Sequence, residues 1–140
     1  MEKLMFLLSC QLRMMNLYYH NAHHLAQGPT FESDHEMFGE FYGEVSDQFD
    51  DVVERSIGMD LKKPSDLCEQ IRAVYSKLET LPEVNTSKER FTVGLSLEDD
   101  LIKIVNLICK QDVSAGVEQL VGEIGNRAEI RTYKIKQRLK

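Results

Sequence analysis

Apolar residues recur every three or four positions through almost the whole chain, the spacing of one buried face on an α-helix. From Glu2 to His24 that face is Leu4, Leu7, Leu8, Leu12, Met15 and Leu17. Gly28-Pro29 ends this first helix, because proline cannot continue it and glycine supplies the turn. A second helix is predicted from near residues 30–33 to about Ile57, with Phe31, Met37, Phe38, Phe41, Tyr42, Val45, Phe49, Val52 and Val53 in period and Gly58 as its stop. Pro64-Ser65-Asp66 opens a third stretch whose face is Leu67, Ile71, Val74, Leu78 and Leu81, and Pro82 closes it. Residues 82–94 read as a loop or a poorly patterned connection. Ser96 with Asp99 reads as an acidic capping box ahead of Leu97, Leu101, Ile104, Val105 and Ile108. Ser114 caps a last helix carrying Val117, Leu120, Val121, Ile124, Ala128 and Ile135. No segment alternates with period two for long enough to make a strand. The expected fold is all-α: an antiparallel four-helix bundle with one connecting helix between the second and third main helices.

A chain of 140 residues is expected to form a single domain over 1–140 with room for a core. Its net charge is −6, so phosphate backbones are repelled unless a basic patch is segregated. The basic cluster Arg131, Lys134, Lys136, Arg138 and Lys140 reads as a solvated end of the last helix, where cations favour the helix dipole. Cys10, Cys68 and Cys109 are odd in number, far apart and in no metal or redox spacing, so they read as buried thiols of a reducing compartment. Leu7-Leu8-Ser9-Cys10 resembles a lipoprotein cleavage box, but the apolar run before it is too short for a signal segment. No run reaches a membrane span, and a cytoplasmic location is expected.

The chemistry is concentrated near the start. All four histidines, His20, His23, His24 and His35, precede the carboxylates Asp50 and Glu54. Asp50 and Glu54 are four apart, turned by about 40° on a helix, and can clamp one metal with Asp47 assisting. His35 sits on the same predicted helix, but the rise from 35 to 50 is about 22 Å. Metal–ligand bonds are about 2 Å long, so His35 and Asp50 of one chain cannot meet on one ion. Two readings stay open on geometry. Either the histidines and carboxylates are unrelated, or two copies pair with antiparallel second helices and share two equivalent sites. Two imidazoles with two carboxylates suit iron or zinc. An intra-bundle di-iron site needs two Glu-x-x-His pairs, and only Glu32-x-x-His35 is present, with no histidine after it.

The stretch His23-His24-Leu25-Ala26-Gln27-Gly28-Pro29-Thr30-Phe31-Glu32-Ser33-Asp34-His35-Glu36, followed by Phe41-Tyr42 and Asp50-Asp51-Val52-Val53-Glu54-Arg55, resembles the Dps miniferritins. The resemblance is strongest over residues 12–56. It implies a ferritin-like bundle with His23, His35, Asp50 and Glu54 as iron ligands at two-fold interfaces. It also implies a homo-oligomer, with the two-fold dimer as its smallest unit and a hollow dodecameric shell as the family's form. The implied activity is ferroxidase: oxidation of Fe(II), preferably by peroxide, with ferric iron stored inside. His24, Asp34 and Asp47 are candidate neighbours of the ligands, and Asp112 and Glu118 candidate residues on the path by which iron enters. Where the family carries tryptophan after its first histidine ligand, this chain has His24 and no tryptophan at all. The lysine-rich N-terminal extension that some members use on DNA has no counterpart here, which argues against direct DNA binding. The alternative expectation is a Dps-like bundle acting as a structural or interaction protein, binding metal without turnover.

Overall fold

The computed structural model describes residues 1–140 and contains five α-helices: α1 (Glu2–Leu25), α2 (Phe31–Gly58), α3 (Leu67–Glu79), α4 (Ser87–Cys109) and α5 (Ala115–Leu139). A single 3₁₀ turn, Lys63–Ser65, precedes α3. α1 packs against α2 and α4, and α5 against α4 and α2. Short connections join α1 to α2 and α4 to α5, so each pair is antiparallel. The long crossover from α2 to α4 carries α3 along the outside of α1. One long crossover is the topology of ferritin-like bundles.

Twenty-five buried apolar residues form one cluster between the four long helices. Phe38 stacks on Phe91 with ring centres 4.1 Å apart, which ties α2 to α4 across the bundle. α5 approaches α4 closely at Gly125, where a β-carbon would lie 3.0 Å from Val105. Gly122 has open space instead. The turn after α1 uses Gly28 at φ +85°, a left-handed conformation that glycine adopts without strain.

Four expectations need correction. α4 begins at Ser87, not beyond Gly94. Thr86 accepts a hydrogen bond from the Glu89 amide and its hydroxyl donates to the Glu89 carboxylate, so the cap lies ten residues before Ser96. Ser96 and Asp99 fall inside the helix, where Asp99 pairs with Lys103. The stop after α2 is made by Asp60 at φ +60°, not by Gly58. The Leu61 amide bonds to the Ser56 carbonyl and the Asp60 amide to that of Ile57, a Schellman turn with aspartate in the usual glycine position. Cys68 and Cys109 are exposed, and only Cys10 is buried. The C-terminal basic cluster is not a solvated end throughout, since Arg131 is 1% exposed and Arg138 and Lys134 are paired to α2. Ser114 caps α5 as expected, accepting from the Val117 amide.

α3 buries Gln70 and Val74 and leaves much of its expected apolar face open: Leu67 and Ile71 are exposed, together with Tyr75. With Leu17 of α1 they line a shallow apolar groove between the two helices. No helix is long and apolar enough to cross a membrane.

Candidate metal centre

The turn between α1 and α2 brings its two histidines face to face. The rings of His23 and His35 stack with centres 3.6 Å apart and planes 18° from parallel. His23 Nδ1 lies 2.6 Å from the His35 carbonyl oxygen, and His35 Nδ1 lies 2.8 Å from the His23 carbonyl oxygen. A carbonyl can only accept, so both Nδ1 atoms donate. The His23 carbonyl belongs to the last turn of α1, where backbone acceptors lack helical partners, and His35 supplies one. In the neutral rings the lone pair is thereby left on Nε2 of each. Locking one nitrogen to a backbone carbonyl is how proteins orient an imidazole toward a metal on the other.

The surroundings hold this pair in place. Phe31 stacks on His35 at 5.0 Å, and Tyr42 meets His23 edge-on at 5.3 Å. Gly39, one helical turn after His35, leaves the gap that His23 fills: a β-carbon there would lie 3.1 Å from His23 Nδ1. Nothing in the helical pattern marks Gly39, because the need for it arises only when α1 crosses α2.

Asp50 and Glu54 lie on α2 in adjacent turns, both exposed, as is Asp47. None of the three takes part in the chain's ion pairs. α2 is unbroken from Phe31 to Gly58, so the rise of about 22 Å between His35 and Asp50 stands. Within one chain no three ligand-type side chains converge on a point that could hold a metal. The structure thus brings His23 to His35 and Asp50 to Glu54, and keeps the two pairs apart.

The other singled-out residues have definite surroundings. Asp34 is fully buried, and its carboxylate accepts from Arg138 Nε at 2.7 Å, Arg138 Nη2 at 3.0 Å and the Thr30 hydroxyl at 2.7 Å. Burial pushes this carboxyl up, but the bonds from Arg138 and Thr30 outweigh it and hold it below the usual range. Its oxygens join the end of α5 to the α1–α2 turn. His24 is exposed, its ring 4.4 Å from that of His20. Asp112, just before α5, and Glu118, in its first turn, are both exposed.

A second polar cluster, absent from the sequence reading, fills the middle of the bundle. Every long helix contributes: Tyr19 from α1, Glu44 from α2, Glu98 from α4, and Arg127 and Arg131 from α5. Arg131 donates to both oxygens of Glu98, at 2.7 and 3.0 Å, and to Glu44, while Tyr19 donates to Glu98 at 2.7 Å. Arg127 closes the set with two bonds to Glu44. Burial pushes the Glu98 carboxyl up, against the pull of Arg131; Arg131 itself stays charged, favoured by both carboxylates over its own desolvation. Where di-iron bundles turn carboxylates and histidines toward ions, this interior has a guanidinium between two carboxylates.

The fold is similar to that of Dps from Thermosynechococcus elongatus, with a TM-score of 0.84 over 99% of this chain and 91% of that chain, at 19% sequence identity. A likeness at that identity speaks for fold, and the fold is a Dps-type, ferritin-like helical bundle. No family model matches the chain, and no curated protein matches it in sequence.

Proposed function

We propose that the chain is an iron-handling miniferritin, in which two copies oxidise Fe(II) at sites they share and retain the ferric product. The observation that carries this reading is the reciprocal lock of His23 and His35, two stacked imidazoles with both Nδ1 atoms tied and the lone pair of each Nε2 left for a metal. Such a pair within a Dps-type fold supports a metal site that the carboxylates of another copy complete.

In this reading His23 and His35 of one copy meet Asp50 and Glu54 of the other, the second helices running antiparallel about a two-fold axis. Two neutral imidazoles and two carboxylates favour a hard-to-borderline cation such as Fe(II), which is the substrate. Glu54 has two oxygens and can bridge two irons. Each Fe(II) gives up one electron, and peroxide or dioxygen accepts them. The protein contributes ligand geometry, and no side-chain nucleophile is needed. The exposed face of Leu17, Leu67, Ile71 and Tyr75 gives apolar area for contact between copies. A dodecameric shell is the larger assembly we infer, with exposed Asp112 and Glu118 on the path of incoming iron. Net charge −6, with much of the C-terminal basic cluster spent on internal pairs, argues against direct DNA binding.

A second reading has its own observation. A lone copy brings no third ligand to His23 and His35. A bundle that does not pair through α2 would bind metal weakly and act as a structural or interaction protein without turnover. Anaerobic Fe(II) loading of the native assembly, followed by peroxide and ferric absorbance, separates the two. Rapid oxidation that disappears in His35→Ala supports the miniferritin; stoichiometric binding without oxidation supports the scaffold.

A further inference from the structure

The histidine cluster holds more ligands than the iron site uses. His20 and His24 lie four apart on α1, so their side chains share one face of the helix. Their ring centres are 4.4 Å apart with planes at 46°. An imidazole nitrogen sits about 2.0–2.1 Å from a zinc ion, and two rings so held at a right angle have centres roughly 4.5 Å apart. The two rings already have that spacing. Histidine-ring hydrogen bonds within the chain belong to His23 and His35, so the nitrogens of His20 and His24 have no protein partner. Tyr42 backs His20 with ring centres 4.2 Å apart, which restrains that ring, while His24 is exposed and open to an incoming ion.

We propose that His20 and His24 form a second metal site, a two-imidazole chelate on α1 that takes a late first-row divalent cation, Cu(II) most tightly. Paired histidines four apart on one helix face are a known zinc-binding arrangement. Imidazole suits copper, zinc, nickel and iron, and Cu(II) stands highest in the divalent series, so it is the cation such a pair takes most tightly. Water completes the coordination on the exposed side. The chelate lies within one chain and does not depend on a second copy or on iron oxidation. Its donor set differs from the neighbouring one, which combines imidazoles with carboxylates, and the single-residue variants below tell the two apart. The ring of His23, 6.3 Å from His20 at its centre, is tied to the His35 carbonyl and belongs to the other pair.

The test is Cu(II) titration of the metal-free, native-size protein, followed by electron paramagnetic resonance and compared across single variants. The first equivalent is expected to show nitrogen splitting from two imidazoles. Affinity should fall about tenfold or more in His20→Gln and in His24→Gln, since even the loss of an outer partner of a ligand costs 10–100-fold. It should be retained in His35→Ala. Unchanged affinity in both His20→Gln and His24→Gln overturns the proposal. An equal loss in His35→Ala overturns it too, because copper would then occupy one merged cluster. His24 is exposed, so His24→Gln carries the test even if His20→Gln disturbs the packing on Tyr42, which circular dichroism reports.

Discussion

Two sets of polar residues in this bundle, each with two carboxylates, end in opposite states. In the middle, Glu44 and Glu98 each accept three hydrogen bonds, from Arg127, Arg131 and Tyr19, and their charge is met by the two guanidinium groups. At the α1–α2 turn, His23 and His35 have one nitrogen tied and one open, and further along α2 Asp50 and Glu54 have no internal partner. A cluster that completes itself stabilises the fold; one that its own chain leaves half satisfied is ready for a ligand. The oxygen donors of the interior are therefore poor candidates for metal, and those on the exposed face of α2 good ones.

The largest effect expected from breaking this contrast is on the saturated side. Arg131→Met leaves Glu98 without its guanidinium and Glu44 with Arg127 alone, and removing one partner of a buried pair costs about 3–5 kcal/mol. Urea unfolding should show that loss, with iron oxidation per folded molecule little changed. On the open side the order reverses. His35→Ala should reduce peroxide-driven Fe(II) oxidation by roughly a hundredfold or more, while stability changes by only the ~1 kcal/mol of a hydrogen bond. Gly39→Ala sharpens the same point: alanine in a helix normally gains about 0.5–1 kcal/mol over glycine. Here its β-carbon meets His23 Nδ1 at 3.1 Å, so the ring must shift. Iron affinity should fall by about tenfold, the effect of disturbing a ligand's outer contacts, as read by calorimetric titration.

Acid separates the clusters further. Burial pushes the Glu44 carboxyl up, but hydrogen bonds and charge from Arg127 and Arg131 hold it below its ordinary 4.5. A lowered folded value means the unfolded chain takes up the proton more readily. The stabilisation from Glu44 is thus complete above about pH 4.5 and is lost as pH falls through the lower folded value. Stability of the wild type should decline more steeply below pH 4.5 than that of Glu44→Gln, measured by denaturation across a pH series. The smallest effect is expected at Asp60, far from both clusters. Glycine takes its left-handed backbone without strain, so Asp60→Gly should stabilise by up to about 1 kcal/mol in thermal unfolding.

How far these features could be read in advance depended on whether a local signal existed. Gly28-Pro29 punctuates the first two helices so strongly that their limits follow, and the distance from His35 to Asp50 with them. The start of α4 hid because its buried face contains Ser87, Arg90 and Gly94, which do not look apolar. The exposed face of α3 looked like core because periodicity reports amphipathicity, not what covers it. Arg131 read as a surface charge because its partners, Glu44 and Glu98, lie on other helices. Gly39 and the Nδ1 lock of the histidines arise from the crossing of α1 on α2, and no spacing along the chain encodes either.

The shared site is tested most directly by subunit exchange. His23→Ala and Asp50→Ala, each inactive alone, are mixed under conditions in which native mass spectrometry shows that hybrid dimers form. One of the two sites in each hybrid keeps all four ligands, so part of the iron oxidation rate should return. If hybrids form and no activity returns, His23 and Asp50 do not act together across two copies, and the shared site is contradicted.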